Sequence, residues 1–419
     1  MTSDTDPSTP HSPEAPEPPA PLPPVVPSDG VPGVLTDADA LARYADKVAA
    51  GHGPVALDAE RASGYRYSQR AYLVQVRREG AGSALIDPIA LPDLSLLDTA
   101  IGETEWILHA ATQDLACLAE VGLRPRALFD TELAGRLLGR ERVSLAALVA
   151  SELGLGLEKG HGATDWSLRP LSAAQLRYAV LDVEPLPALR DVLADALATA
   201  GKDEFARQEF HALLTFAPRD RGDEGWRRLS GIHRVRKPRN LAVARELWIE
   251  RDTIARDKDV AVGRLLPDAS IVAVATQVPE SLDALLATKE FHGRGAHRYA
   301  RRWWQAIERA VTMATDALPA TNPPPSGPPP PRAWADRNPP AFARWEAART
   351  VIAGLSETHE IPAENLLTPE LLRRLAWEPP DSLDPADMRT VLRQAGARDW
   401  QADLVVPPLA AAWASAGPS

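Results

Sequence analysis

The sequence predicts an α/β domain with a mixed sheet followed by all-α helical domains, and three observations predict it. Short apolar runs of strand length open the region after residue 33 and then interleave with longer stretches of helical spacing. Beyond Ala217 the periodic stretches are helical and none alternates as a strand does. Two Pro-rich segments, one at the start and one near residue 330, divide these regions. The resulting plan is a disordered, acidic, Pro-rich tail over 1–32, an α/β domain over 33–215 and a helical domain over 216–316. A Pro-rich linker over 317–340 and a second helical domain over 341–415 complete it.

Residues 35–49 have helical spacing behind a start signal at Thr36 and Asp37. Residues 55–60, 72–77 and 83–87 read as strands, the last two joined by the turn Arg78-Glu-Gly-Ala-Gly82. Trp106-Ile-Leu-His109 reads as a buried strand running into a helix over 112–121, with further helices over 130–138, 144–153 and 172–200. Helical spacing then recurs over 241–258, 268–277, 281–288 and 298–317, and after the linker over 341–358, 362–367, 369–377 and 384–395.

Composition narrows the function classes. One cysteine, Cys117, excludes an intramolecular disulfide framework and a cysteine-rich zinc site, and suits a reducing cytoplasm. Residues 1–32 carry no Lys or Arg and no long apolar core, so they lack the parts of a secretory signal, and no stretch approaches the apolar length of a membrane span. The net charge of -11 hides an uneven distribution. Residues 1–32 hold five acids and no bases, whereas residues 219–309 hold 19 Lys or Arg against 13 Asp or Glu, a local balance of +6 that can serve phosphate binding.

Three local patterns carry chemistry. In Val55-Ala-Leu-Asp-Ala-Glu60, strand geometry sends Asp58 and Glu60 to one face and Leu57 and Ala59 to the other. Paired carboxylates repel, so a divalent cation is their natural partner; an edge strand with its polar face in water is the alternative. In His109-Ala-Ala-Thr-Gln-Asp114, a strand ending at His109 puts Asp114 near the C-terminal edge of the sheet, where open α/β sheets build sites, although helix N-termini also favour acids. Tyr178 and Asp182 sit at i and i+4 on one helix face, as a site pair or as a hydrogen bond in the core. His109 itself reads as a hydrogen-bonded strand-end histidine rather than a general base. Trp248, Trp303, Trp304 and Trp345 read as core rather than base-stacking residues.

Taken together, Asp58, Glu60, Asp114 and Asp182, with Tyr178 four residues before the last, resemble the DEDD 3′–5′ exonucleases in their Tyr-containing subclass. Over about residues 35–200 the chain is similar to the bacterial ribonuclease D family, through Val55 to Glu60, Tyr72-Leu-Val-Gln-Val76, Leu108-His-Ala110, Phe129-Asp-Thr131, Thr164-Asp-Trp166 and Arg169-Pro-Leu171. The resemblance implies a ribonuclease H-like fold and a metal-dependent 3′–5′ exoribonuclease acting on RNA 3′ ends such as those of tRNA precursors. It also implies two divalent ions, Mg²⁺ or Mn²⁺, one held by Asp58, Glu60 and Asp182 and the other by Asp58 and Asp114. Tyr178 would orient the attacking water, since a phenol with an ordinary pKa of about 10 is poorly suited to deprotonate it at neutral pH. Nucleoside 5′-monophosphates would be the products.

Arg245-Glu-Leu-Trp-Ile-Glu-Arg-Asp252, residues 257–264 and Leu265-Leu-Pro-Asp268 resemble the HRDC domain. Residues 341–415 resemble a divergent second copy through Trp345, Ile361-Pro362 and the Leu371, Leu372, Leu375 pattern, with an unrelated helical module as the alternative. One departure stands out: Arg61 follows the glutamate of the first motif, where the family often has an aromatic residue. The four carboxylates do not distinguish ribose from deoxyribose, so a DNA exonuclease with the same chemistry stays open, as does a silent RNA-binding module.

Overall fold

A computed structural model of the protein describes residues 21–158, 160, 162, 164–218, 222, 224–321 and 327–415. Residues 1–20 of the expected tail and 322–326 of the expected linker lie outside the described residues.

The sheet holds β1 (Val34–Leu35), β2 (His52–Arg61), β3 (Ala71–Glu79), β4 (Gly82–Ile86), β5 (Glu105–Leu108) and β6 (Ala127–Asp130) in the order β1-β4-β3-β2-β5-β6. The β2/β3 and β3/β4 pairs are antiparallel and the other three parallel, so the sheet is mixed. Around it lie α1 (Ala38–Ala50), α2 (Ser95–Ile101), α3 (Leu115–Glu120), α4 (Thr131–Leu137), α5 (Leu145–Leu153), α6 (Ala173–Val183), α7 (Leu186–Thr199) and α8 (Asp203–Leu213).

Strand β2 has a partner on each side and is not an edge strand. Its alternation therefore serves two covered faces. Val55, Leu57 and Ala59 enter a core with Leu41, Tyr44 and Val48 of α1, Leu97 and Ile101 of α2 and Leu118 of α3. Ala56 faces the other way and packs with Val183 and Leu186 at the α6/α7 junction, the face that also carries Asp58 and Glu60.

Several elements differ from the sequence expectation. Strand β6 is not expected from the sequence, because only Leu128 and Phe129 in it are large and apolar and its last residue, Asp130, caps α4. The single helix expected over 172–200 is two, because Pro185 lacks an N–H and its ring crowds the carbonyl a turn before. Helix α8 was also not foreseen. Residues 21–32, expected to be disordered, are instead docked: Val25 is buried, its N–H donates to the Gly156 carbonyl at 2.8 Å, and the Gly156 N–H donates to the Pro23 carbonyl at 2.7 Å. Arg77 adds bonds to Ser28 at 2.8 Å and to Asp29 at 3.2 Å. One apolar anchor and reciprocal backbone bonds offset the ordering entropy that composition alone left unopposed.

Helices Pro238–Lys258, Val262–Leu265, Asp268–Thr276, Leu282–Leu286, Arg294–Arg298 and Ala300–Thr312 surround their own core, in which Trp226, Ile254 and Trp303 are fully buried. This unit clasps the loop between β2 and β3. The Tyr67 hydroxyl donates to Asp252 at 2.9 Å, the Ser68 N–H to Asp259 at 2.8 Å, the Ala261 N–H to the Tyr65 carbonyl at 3.0 Å and Arg264 Nε to the Gly64 carbonyl at 2.8 Å.

The helices expected over 341–415 are present and pack onto the α/β domain. Helices Trp334–Arg337 and Pro339–His359 begin inside the expected linker, and Trp334, Leu375, Trp400 and Leu409 share one hydrophobic core with Phe129, Leu148, Leu193 and Phe210 of the α/β domain. Phe205 of α8 stacks on Trp400 with ring centroids 4.6 Å apart. Trp400 Nε1 donates to Glu209 at 3.0 Å, and Lys202 Nζ bridges the Leu137 and His359 carbonyls at 2.8 and 2.6 Å. Helix Asp399–Ser415 was missed because it carries Pro407 and Pro408 in its interior. No helix among the described residues is long and apolar enough to cross a membrane. Trp400→Ala is expected to lower stability by about 3–5 kcal/mol in urea denaturation. Faster amide exchange should then appear in α8 as well as in the C-terminal helices, an effect that an independent module would not transmit.

Candidate active site

The site is assembled from the middle of the sheet outward. In β2, Asp58 pairs across the ladder with Gln75 and Glu60 with Leu73, on the face that α6 covers. Helix α6 starts at a capping box between Ser172 and Gln175 and carries Tyr178 and Asp182 over that face. The chain leading into it is clamped by Arg169. This guanidinium donates to both Asp87 oxygens at 2.6 and 2.9 Å, to the Tyr72 carbonyl at 2.6 Å and to the Trp166 carbonyl at 2.8 Å. Burial works upward on the Asp87 carboxyl, but the Arg169 fork and two backbone N–H groups outweigh it and hold it below the ordinary carboxylate range.

Asp114 arrives from the far side. After β5 the chain turns through Ala110, whose φ of 59° lies in the left-handed region that disfavours a side chain. The buried Asp130 carboxylate holds this turn, accepting the Ala110 and Ala111 N–H groups at 3.2 and 2.8 Å while also capping α4 through the Glu132 and Leu133 N–H groups at 2.9 and 3.1 Å. Asp130 and Arg169 thus position the site, although the motifs that contain them give neither a role. The Asp-Thr-Glu string at a helix start was the available signal for Asp130.

Asp58, Glu60, Asp114, Tyr178 and Asp182 all line one cavity of about 400 Å³, together with Arg61, His109 and Gln113. Carboxylate oxygens of Asp58, Glu60 and Asp182 lie within 4.8 Å of one another. Asp114 stands outside that trio, hydrogen-bonded to Asp58 and 3.6 Å from Arg61 Nη2. Tyr178 is hydrogen-bonded to Asp182.

The electrostatics follow from crowding like charge among largely buried groups. Burial pushes Asp58 up to about 6 against the pull of the Ala59 N–H and Arg61. Glu60 is pushed up to about 10 by burial and then by Asp58, Asp182 and Asp114. Asp114 and Asp182 are raised by burial first and by Asp58 next. The Tyr178 phenol is raised by burial and by the neighbouring carboxylates, so it stays protonated. Such a cluster fits divalent cations: the trio offers only hard carboxylate oxygens, close enough to converge on one ion, and their mutual repulsion is the energy that a cation relieves.

These features have close counterparts. Residues 33–198 match the 3'-5' exonuclease family, residues 240–307 the HRDC domain and residues 327–413 the 3' to 5' exonuclease C-terminal domain. The ribonuclease D of Escherichia coli is 29% identical over 351 residues, 82% of this chain and 89% of the relative. The ribonuclease D of Gluconacetobacter diazotrophicus is 30% identical over 299 residues, 70% of this chain and 72% of the relative. The chain belongs to the ribonuclease D family. As a ribonuclease D it is a 3′–5′ exoribonuclease, with a ribonuclease H-like exonuclease domain and an HRDC domain. The crystal structure of E. coli ribonuclease D superimposes with a TM-score of 0.67 at 25% identity, over 91% of this chain and 98% of that one. A Bifidobacterium adolescentis protein reaches a TM-score of 0.86 at 35% identity, over 94% of this chain and 100% of that one. The exonuclease family implies divalent metal ions, and this ribonuclease D has the acidic cluster to take them.

His109 is held as a strand-end histidine, with Nδ1 2.9 Å from Thr131 Oγ1, and burial lowers its pKa from 6.5 to about 4. Its imidazole is therefore neutral in the physiological range. As pH falls through the window from 6.5 to about 4, the unfolded chain takes up a proton that the folded chain refuses, so stability is lost on the acid side and kept above it. His109→Gln is expected to show a smaller fall in urea midpoint between about pH 7 and pH 5 than the unsubstituted protein.

Proposed function

We propose that this enzyme trims the 3′ ends of structured RNA such as tRNA precursors, hydrolysing the terminal phosphodiester with two divalent ions and releasing nucleoside 5′-monophosphates. The observation that carries the reading is the convergence of four carboxylates and one phenol, delivered by β2, the turn after β5 and α6, on a single cavity. Asp58, Glu60 and Asp182 would hold one Mg²⁺ or Mn²⁺ and Asp58 with Asp114 the other. Bound there, such ions supply an activated water, charge for the phosphate oxygens and stabilisation of the leaving oxygen.

The chain's own residues do the positioning. Tyr178, kept protonated by burial and by its carboxylate neighbours, hydrogen-bonds the attacking water rather than deprotonating it. At Ser63 and Gly64 the cavity adjoins a groove of about 1350 Å³ between the β2/β3 loop and the HRDC helices. Arg66, Arg245, Arg256 and Arg264 line it with Tyr67, beside Glu246 and Asp252, and the arginines suit the phosphates of the strand leading to the 3′ end. The buried single thiol of Cys117 suits work in the cytoplasm, where RNA precursors are made.

The test is a 3′-extended tRNA with a 5′ label, incubated with the protein in Mg²⁺, in Mn²⁺ or in chelator. Metal-dependent shortening from the 3′ end is the expected result, absent for DNA of the same sequence under matched conditions. Failure in both ions, from folded protein that still binds the RNA, would replace this reading with a silent RNA-binding module. Asp114→Asn and Asp182→Asn should each lower the cleavage rate by about 10²–10³-fold or more while leaving RNA affinity nearly unchanged.

A further inference from the structure

Arg61 is the last residue of β2, and regular alternation would turn it away from the face that carries Glu60. The ladder is irregular at that point: Glu60 pairs with Leu73 but Arg61 with Ala71, leaving Tyr72 as an extra residue on β3. Such bulges re-aim side chains, and Arg61 lines the cavity alongside Glu60. Its side chain is three-quarters buried, with Nη2 3.6 Å from Asp114 Oδ1 and 3.4 Å from Gln113 Oε1. Its charge works downward on the Asp58, Glu60 and Asp114 carboxyls alike. His109 beside it is neutral, so Arg61 is the resident positive charge among the described lining residues.

The cluster is thereby divided in two. Asp58, Glu60 and Asp182 present oxygens that can converge on one cation, whereas Asp114 is engaged by a permanently charged guanidinium as well as by Asp58. We propose that Arg61 holds the place of the second cation at Asp114 until RNA arrives, and then transfers its guanidinium from Asp114 to a non-bridging oxygen of the RNA phosphate. This rests on the two-ion reading above. The planar fork matches a phosphate as well as it matches a carboxylate, so the exchange keeps the guanidinium paired throughout. Ion loading is then ordered: the trio fills first and tightly, and Asp114 fills weakly while no phosphate is present to draw Arg61 away.

The experiment is calorimetric titration of Mn²⁺ into the metal-stripped full chain, for the unsubstituted protein, Arg61→Gln, Arg61→Lys and Asp114→Asn. RNA concentration dependence of single-turnover cleavage is measured on the first three in saturating Mn²⁺. The unsubstituted protein should bind one ion tightly and a second about tenfold more weakly or worse. Arg61→Gln should tighten the second ion by about tenfold, leave the first unchanged and weaken half-saturation by RNA by a similar factor, with Arg61→Lys between the two. Opposite movements of ion and RNA affinity are the signature, because a merely structural role would weaken both. Unchanged ion affinities in Arg61→Gln, joint weakening of both ligands, or two equally tight ions in the unsubstituted protein would overturn the proposal. Two ions still bound by Asp114→Asn would show that the two-ion assignment fails first, and the Arg61 proposal with it.

Discussion

Asp58, Glu60, Asp114 and Asp182 crowd like charge into one largely buried cluster, and the rest of the structure is arranged to keep them there regardless. Left to themselves, flexible carriers would splay and let each carboxylate find solvent. Strand β2 cannot, because it is paired on both sides and because Val55, Leu57 and Ala59 lock its opposite face into a core with α1, α2 and α3. The same alternation that exposes two acids to the site buries three apolar residues behind it.

Each remaining carrier has an anchor of its own. The turn that delivers Asp114 is tied by the buried Asp130 carboxylate, which satisfies four backbone N–H groups from two different segments. Helix α6 is set down by Arg169, whose fork spans Asp87 and the Tyr72 carbonyl and so ties the approach to Tyr178 and Asp182 onto β3 and the end of β4. The loop after β2 is fastened by the HRDC helices through Asp252, Asp259, Ala261 and Arg264. On the far flank, the C-terminal helices enter the same core as α4, α7 and α8, which makes them part of the exonuclease body rather than an appendage.

This division of labour fits a hydrolase whose side chains supply little proton transfer of their own. Burial holds the Tyr178 phenol protonated and the His109 imidazole neutral at neutral pH. The cluster gathers carboxylates in one cavity, while the neighbouring groove carries five arginines against three acids among its described lining residues. A net charge of -11 is no obstacle to that arrangement, since the relevant field is local.

What the sequence determined by itself was local. Asp58 and Glu60 share a face because strands alternate, and Tyr178 neighbours Asp182 because helices return every 3.6 residues; both relations need only a few consecutive residues. The short β6, the break at Pro185 and the docking of residues 21–32 were harder to read, because β6 has only two large apolar residues before a helix-capping Asp130, a proline is tolerated near a helix start, and a lone apolar anchor is invisible to composition. Tertiary structure alone decided that Arg169 clamps Asp87 across 82 residues of chain, that Asp130 supports the turn to Asp114, that Arg61 faces Asp114, and that Trp400 completes a core begun at Phe129. Those pairings depend on which distant surfaces meet when the sheet and helices pack, and no spacing along the chain encodes them.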